Sequence, residues 1–319
     1  MKIGLLLPNG GGASGAASVR GCFEIAQAAE TLGYDSVWLG DRLLVPASLT
    51  RRPGAAGDLV PQSEEVLEPL VMLCALAQRS ERIRLGICSL VIPYRHPLVT
   101  AKMLSTADHL AGGRLILGAV AGWAQAEFAA LGLTDEHYRC RGSVTADYLR
   151  AIKEAWLSTG PSWYVGEHVT FRNVGTYPHP LQQPHIPIWL GGSTAAALRR
   201  AVRLGDGFIA PSGGPDELQA TVARLQQLAQ KDRRDPEELT VAMMVEVVIS
   251  ERGGEAPAGT MRGTAEQIAE RLRSYEQAGL QYLIAAVHGE EAGSLPAALA
   301  TVEAFAERAL PAPRAGAAV

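Results

Sequence analysis

The chain has 319 residues, a net charge of −4 and 47% hydrophobic residues, and its pI is about 6.0. This size suits one large α/β domain or two smaller ones. The net negative charge does not indicate a basic surface of the kind that binds nucleic acid or an anionic membrane. No apolar run approaches the ~18 residues of a membrane span. The four cysteines form no CxxC pair, which favours reduced thiols in a cytoplasmic protein over a disulfide framework.

Short β-type segments alternate with helical segments along the chain. The predicted strands lie near Ile3–Leu7, Ser36–Leu39, Arg84–Ile92, Leu115–Ala119, Pro187–Leu190, Gly207–Ile209, Leu239–Val248 and Tyr282–Val287. The predicted helices lie near Ser18–Leu32, Pro69–Ala77, Leu98–Leu110, Arg141–Leu157, Ala195–Leu204, Asp216–Gln230, Thr264–Ala278 and Leu295–Leu310. Such alternation predicts right-handed βαβ units and a parallel sheet. Eight units match a closed (β/α)₈ TIM barrel better than an open doubly wound sheet.

A glycine lies at three of the joints between a predicted helix and the next predicted strand. Gly33, Gly205 and Gly279 each follow a predicted helix and directly precede a predicted strand. Glycine at this position is typical of a left-handed helix end. We therefore expect these three residues at one end of the barrel, opposite the active site.

Three segments exceed a minimal barrel. Leu44–Leu67, Ser158–Gln183 and Ser250–Gly259 are inserted after the second, fourth and seventh strands. The middle insertion contains two β-like runs about a glycine, which predicts a hairpin. We expect one barrel domain over residues 1–310 and a disordered tail over residues 311–319.

The side chains that follow the strands carry little acid–base chemistry. The seven histidines form no HxH pair at a strand end, so no metal site is predicted. None of the lysines lies at a strand's carboxyl end, which makes a Schiff-base aldolase improbable. The strand ends are rich in glycine, where backbone approaches a ligand closely. This inventory favours a cofactor that supplies its own chemistry.

Two strand ends carry a further signal. Gly191, Gly192 and Ser193 join a strand to a helix, and free amides at a helix start attract an anion such as phosphate. The same residues also suit an ordinary N-cap with a glycine turn. Gly122 and Trp123 follow the fourth strand, and these residues by themselves favour a glycine turn with a core tryptophan over a ligand contact.

Three long segments resemble the bacterial luciferase-like monooxygenase family, most closely the branch that uses the deazaflavin coenzyme F420. They read "AAETLGYDSVWLGDRLLVP", "RIRLGICSLVIPYRHPLVTAKMLSTADHLAGGRLILGAVAGWAQAEFAALG" and "PIWLGGSTAAALRRAVRLGDGF". The resemblance implies a β-bulge with a non-prolyl cis peptide at the end of the third strand. By position, that peptide joins Cys88 and Ser89, and it supports the central ring of the cofactor.

The resemblance also assigns roles at other positions. Asp41 matches an acid near the pyrimidine edge of the ring, and Arg42 stands where histidine is usual, so the proton donor is not assigned. Gly122 matches a glycine beside the cofactor. Trp123 replaces the glutamate of the sugar-phosphate dehydrogenases in this group, which argues against their reaction and for an apolar wall of the substrate pocket.

The phosphate contact of the family matches Gly191, Gly192 and Ser193. Three functions follow from the resemblance. The first is an F420-dependent oxidoreductase that transfers a hydride to or from a C=C, C=N or alcohol/carbonyl group of a small substrate. The second is an FMN-dependent monooxygenase that uses reduced flavin and O₂, and the third is a non-catalytic flavin-binding protein. The resemblance further implies a homodimer.

Overall fold

The computed structural model describes residues 1–10, 15–45, 66–250, 259–289 and 294–310. Residues 46–65 and 251–258 of the expected insertions, and the expected tail at 311–319, lie outside the described residues.

Strands and helices alternate as the sequence predicts. The strands are β1 (Lys2–Leu6), β2 (Ser36–Leu39), β3 (Arg84–Val91), β4 (Leu115–Val120), β5 (Ser162–Val165), β6 (Thr170–Val174), β7 (Ile188–Gly191), β8 (Gly207–Ala210), β9 (Thr240–Ile249), β10 (Thr260–Gly263) and β11 (Tyr282–His288). The α-helices are α1 (Val19–Leu32), α2 (Pro69–Ala77), α3 (Pro97–Leu110), α4 (Gln125–Ala130), α5 (Asp135–Arg139), α6 (Arg141–Leu157), α7 (Ala195–Leu204), α8 (Pro215–Lys231), α9 (Ala265–Gln277) and α10 (Leu295–Ala309).

The parallel strands close into a barrel in the order β1, β2, β3, β4, β7, β8, β9, β11 and back to β1. The predicted TIM barrel is therefore confirmed. In the described part of the chain, β10 adds a parallel strand beside the upper end of β9. The sequence prediction missed the short helices α4 and α5, because one or two turns give too few residues for a helical period to show.

The glycine joints lie at the end of the barrel where helices lead into strands, which we call the lower face. Gly33 and Gly279 have φ of 89° and 100° and end their helices in the left-handed region, as expected. Gly205 differs, because its φ of −96° and ψ of 163° are extended. Glycine is required at this position for a steric reason instead, because a Cβ there would lie 2.8 Å from Leu190 Cδ1.

The insertion after β4 contains the expected hairpin, in which β5 pairs antiparallel with β6. Asp147 of α6 holds it in place. Its carboxylate accepts hydrogen bonds from Tyr164 Oη at 2.6 Å and from the amides of His168 and Val169 at 2.7 and 3.2 Å. Burial opposes the charge, but these donors hold the pKa of Asp147 below its ordinary value.

An aromatic cluster of Trp38, Trp189 and Tyr282 fills the barrel interior. The ring centroids of Trp38 and Trp189 are 5.4 Å apart, and those of Trp189 and Tyr282 are 4.9 Å apart. Ser36 accepts hydrogen bonds from Trp38 Nε1 at 2.6 Å and from Tyr282 Oη at 2.7 Å, so the polar atoms of both rings are satisfied. The other face of the strands packs against the helices in a separate and larger apolar core.

Glycines on neighbouring strands make room for these rings. A Cβ at Gly86 would lie 2.2 Å from Trp38 Cε3, and one at Gly207 would lie 2.6 Å from Trp189 Cδ1. Interiors are close-packed, so a large ring on one strand requires a small residue opposite. Of the helices in the described part of the chain, none has the length and apolar character that crossing a membrane requires.

We expect Gly86→Ala to lower the free energy of unfolding by roughly 1–3 kcal/mol, because the new methyl group overpacks the interior against Trp38. Gly160→Ala is the matched control, since nothing lies within 4 Å of a Cβ at that position, and it should change stability by less than about 0.5 kcal/mol. Urea unfolding followed by tryptophan fluorescence measures both. Equal stability of the two variants would show that the interior is not close-packed at Trp38.

Candidate cofactor site

The upper end of β3 contains an irregularity that faces the barrel mouth. Pairing with β4 runs from Ile87 opposite Leu117 to Leu90 opposite Ala119, so two residues of β3 bulge out against one of β4. These residues are Cys88 and Ser89, and the peptide between them is cis. The expected bulge and its cis peptide are therefore present. Ile87 and Leu90 are buried, whereas Cys88 and Ser89 are only partly buried.

The bulge forms a platform of small side chains. A Cβ at Gly118, on the neighbouring strand β4, would lie 2.3 Å from the carbonyl oxygen of Ile87 and 3.3 Å from Ser89 Oγ. Cys88 Sγ lies 3.9 Å from Met244 Sδ, across the barrel on β9. Glycine, cysteine and serine here leave a shallow floor above the aromatic cluster, bordered by a polarisable thioether.

Asp41 anchors the loop after β2 to the loop after β3. Its carboxylate receives two hydrogen bonds from the Arg95 guanidinium, at 2.9 and 3.0 Å, and one from the Val91 amide at 2.9 Å. Arg95 also reaches Glu68 at 2.9 Å. The Asp41 side chain is 0% exposed and that of Arg95 is 12% exposed. Burial lowers the pKa of Arg95, but the two carboxylates outweigh it and raise that pKa above its ordinary value.

Arg42 lies between Glu127 and Trp123. Its Nη1 atom is 3.9 Å from Glu127 Oε2, and its guanidinium carbon is 5.7 Å from the centre of the Trp123 ring. Glu127 also accepts hydrogen bonds from Tyr94 Oη at 3.0 Å and from the Leu44 amide at 3.2 Å. Burial first, and then Glu127, raise the pKa of Tyr94, so its phenol stays protonated at neutral pH.

The sequence prediction missed Glu127, Tyr94 and Arg95. The signal for Glu127 was a carboxylate beside Phe128 in the largely apolar stretch "VAGWAQAEFAALG". A buried carboxylate needs a partner, and that requirement points to Arg42 and Tyr94 only once the fold brings α4 beside the loop after β2.

The turn after β4 is fixed from outside the barrel. Gly122 has φ of 80°, and a Cβ there would lie 2.7 Å from Val91 Cγ1, so both backbone conformation and space require glycine. Arg141 Nε donates to the Gly122 carbonyl at 3.0 Å, and Tyr138 Oη donates to the Trp123 carbonyl at 3.1 Å. These bonds hold the partly exposed Trp123 at the mouth.

Gly191 ends β7, and α7 begins shortly after it. Thr194 caps the helix by accepting from the Ala197 amide at 3.1 Å, so the cap is Thr194 and the exposed Ser193 precedes it. Among the described residues, no acceptor is bonded to the amides of Ala195 and Ala196. The first turn carries no acidic residue, so this helix start is electrostatically open to an anion.

Two buried nitrogens in the described part of the chain have no hydrogen-bond partner, Arg42 Nη1 and Arg262 Nε. Both residues lie at the upper face, because Arg42 follows β2 and Arg262 lies on β10 beside the upper end of β9. Buried donors are nearly always paired. Two orphaned donors, an open helix start and a floor of small residues fit an extended, acceptor-rich ligand that carries a flat ring and a phosphate.

The family model of the luciferase-like monooxygenases matches residues 1–262. The chain belongs to the luciferase-like monooxygenase family. This confirms the family expected from the resemblance, and members of this family include both monooxygenases and dehydrogenases.

Curated relatives of this luciferase-like protein use two kinds of cofactor by name. The FMNH₂-dependent dimethylsulfone monooxygenase of Pseudomonas putida is 29% identical over 57% of this chain and 53% of its own length. The F420-dependent glucose-6-phosphate dehydrogenase of Amycolatopsis mediterranei is 30% identical over 62% of this chain and 55% of its own. The chain thus spans a little more than half of the length of these relatives.

Solved structures share the fold over nearly the whole chain. The monooxygenase RslO1 of Streptomyces bottropensis superposes with a TM-score of 0.77 at 21% identity, covering 98% of this chain and 99% of its own. An F420-dependent secondary alcohol dehydrogenase, solved with an F420–acetone adduct, gives a TM-score of 0.76 at 17% identity, covering 96% and 97%. At these identities the likeness concerns the fold alone.

Removing either partner of the ion pair between Asp41 and Arg95 should destabilise the protein, but by different amounts. Arg95→Met should lower the free energy of unfolding by about 3–5 kcal/mol, because it leaves a fully buried carboxylate without its counter-charge. Asp41→Asn should cost less, about 1–3 kcal/mol, because Arg95 keeps Glu68. Urea unfolding of both variants and of Arg172→Met, an exposed arginine on β6, tests this. An Arg95 variant as stable as the Arg172 variant would contradict the anchoring role.

Proposed function

We propose that this protein is an F420-dependent oxidoreductase that transfers a hydride between the deazaflavin and a C=C, C=N or alcohol/carbonyl group of a small organic substrate. The observation that carries the proposal is the platform of Cys88, Ser89 and Gly118 at the upper end of β3 and β4. It is the one place at the described upper face where a bulge, small side chains and partial exposure coincide.

The residues around the platform divide into three roles. Cys88 and Ser89 would form the floor for the tricyclic ring, and Gly122 gives the neighbouring turn the left-handed backbone that it requires. Gly191, Gly192 and Ser193, with the open amides of α7, hold the cofactor phosphate. Asp41 holds the loops after β2 and β3 together, so we assign it a positioning role beside the ring rather than proton transfer.

When bound, the deazaflavin supplies or accepts a hydride at C5 of its central ring. The protein supplies placement and electrostatics. Trp123 forms one wall of the substrate pocket, and Arg42 lies against it. A guanidinium carries five fixed N–H donors, so we assign Arg42 to stabilise negative charge on a substrate oxygen. Glu127 and Trp123 together orient that guanidinium.

An FMN-dependent monooxygenase is the second candidate. The named FMNH₂-dependent relative favours it, and a platform of this kind accommodates an isoalloxazine ring as readily as a deazaflavin. The apolar Trp123 wall would then exclude water from the reactive flavin position.

The cofactor can be identified by parallel incubation with each reduced cofactor in air. For the F420 assignment we expect tight binding of F420, no protein-dependent oxygen consumption, and reappearance of oxidised cofactor absorbance only when an acceptor such as an enone, imine or ketone is added. Oxygen consumption with reduced FMN, without binding of F420, would replace the first candidate by the second. Binding of neither cofactor would refute both.

The platform is tested by two substitutions that differ in size. Ser89→Trp should abolish binding of F420, measured by quenching of its fluorescence, because an indole would occupy the space of the ring. Cys88→Ala should keep affinity within about threefold and keep most turnover, because the thiol only contributes to the floor. Loss of turnover in Cys88→Ala with unchanged affinity would instead assign the thiol a chemical role.

The phosphate position is tested at Ser193, which is exposed. Gly192 is a poor choice, because its φ is 142° and a Cβ there would lie 2.7 Å from Ala197 Cβ. Ser193→Asp places a negative charge beside the open amides and should weaken cofactor binding about tenfold or more while leaving the melting temperature unchanged. Ser193→Asn is the neutral control. Equal affinities of the two variants would remove the phosphate from this helix start.

We further propose that the protein is a homodimer that buries α2 and α3. Val71 of α2 is 67% exposed and Val99 of α3 is 53% exposed, the two helices are in contact, and exposed apolar side chains suit an interface. Light scattering at micromolar concentration should give twice the monomer mass, and Val71→Asp combined with Val99→Asp should halve it. A monomeric parent protein would refute the proposal.

A further inference from the structure

A cleft of about 600 Å³ opens at the lower face, at the opposite end of the barrel from the cofactor platform. It lies between the last turns of α6, the joint from α7 to β8 and the joint from α8 to β9. Five lysine and arginine side chains line it against two aspartates. Its volume is in the range of small-molecule sites, and its charge is opposite in sign to that of the whole chain.

Two of these cations have structural partners, and a third lies at a helix end. Arg203 pairs with Asp232 at 2.7 Å. Arg234 donates to the carbonyls of Val202 at 2.7 Å and Gly205 at 2.6 Å, which closes the end of α7. Lys231 lies in the last turn of α8, where a positive charge offsets the helix dipole.

Lys153 and Arg233 are not explained in this way. Neither side chain makes a hydrogen bond or a close ion pair with any described residue, and both line the cleft. Lys153 extends from α6 and is partly buried. Burial lowers the pKa of its ammonium, and the nearby Asp206 partly offsets that effect while Arg234 adds to it. A half-buried ammonium without a hydrogen-bond acceptor is costly, so a ligand that supplies acceptors would stabilise it.

Arg233 lies at a position where glycine or asparagine would adopt the backbone conformation at a lower cost in free energy. Its φ is 56°, at a helix end where glycine or asparagine usually adopts the left-handed conformation. The side chain of Arg233 is exposed, and it lies on the rim of the cleft. Arginine binds phosphate oxygens in a bidentate manner, and lysine binds them as a point charge.

We propose that this cleft binds a small polyanion that carries adjacent phosphate groups, with Lys153 at its base and Arg233 at its rim. Two separated cations without protein partners match two linked phosphates better than a single carboxylate. The site is independent of the proposed redox function, because no residue of the platform contributes to it.

The probe is inorganic diphosphate, titrated calorimetrically into the full-length protein at low ionic strength. We expect saturable binding of one diphosphate per chain, at least tenfold tighter than that of inorganic phosphate. Lys153→Met and Arg233→Gln should each weaken binding fivefold or more. Arg172→Gln, which removes the same charge from an exposed site on β6, should leave it unchanged.

Lys153→Arg separates a binding role from a folding role, because it keeps the charge and should keep the affinity within about threefold. Adenosine diphosphate as a second probe distinguishes a nucleotide site, which it would bind more tightly, from a site for the phosphates alone, which it would bind equally well. The proposal is overturned by the absence of saturable binding at millimolar diphosphate. It is also overturned if the Arg172 variant weakens binding as much as the cleft variants, or if the double variant at Lys153 and Arg233 binds as the parent does.

Discussion

The volume inside the closed barrel is the constraint on which the rest of the structure depends. Eight strands enclose a fixed space. Packing at normal interior density requires side chains to fill this space without voids and without steric overlap. Here Trp38, Trp189 and Tyr282 fill much of it, and Ser36 satisfies their polar atoms. Because Trp189 and Tyr282 also border a cavity at the lower face, this cluster closes the barrel from below and leaves small residues at the upper end of β3.

The loops above that floor are fixed by charge rather than by apolar packing. Asp41, Arg95 and Glu68 connect three segments that are distant in sequence. A second group, Arg42 with Glu127 and Tyr94, connects the loop after β2 to α4. Buried ion pairs contribute modestly to net stability, but removing one member is expensive. Such pairs therefore specify one arrangement of the mouth, which a site for a flat ring requires.

The sequence predicted the barrel because its signals are local. Hydrophobic runs, helix periods and the glycines at Gly33 and Gly279 are visible within a few residues, and their alternation permits few folds. The bulge at Cys88 and Ser89 was predicted from resemblance to a family rather than from local signals. The prediction for Gly205 was wrong in mechanism, because the need there is space beside Leu190 and not a left-handed turn.

The partners of the site residues could not be predicted in the same way. Nothing near Asp41 in sequence indicates Arg95, 54 residues away, or shows that its carboxylate is fully engaged. Likewise, the cleft at Lys153 and Arg233 forms only when α6, α7 and α8 end side by side. Long-range pairing of charges depends on the closed topology, so it becomes visible only after the barrel is assembled.

The central claim is that the upper end of β3 is the floor of a flavin-type cofactor site. A crystal structure of the protein soaked with F420 tests it most directly. We expect the deazaflavin ring against the backbone of Cys88 and Ser89, with the cofactor phosphate at the start of α7 beside Gly192 and Ser193. A ring bound elsewhere, with the platform covered by protein side chains in the complex, would contradict it.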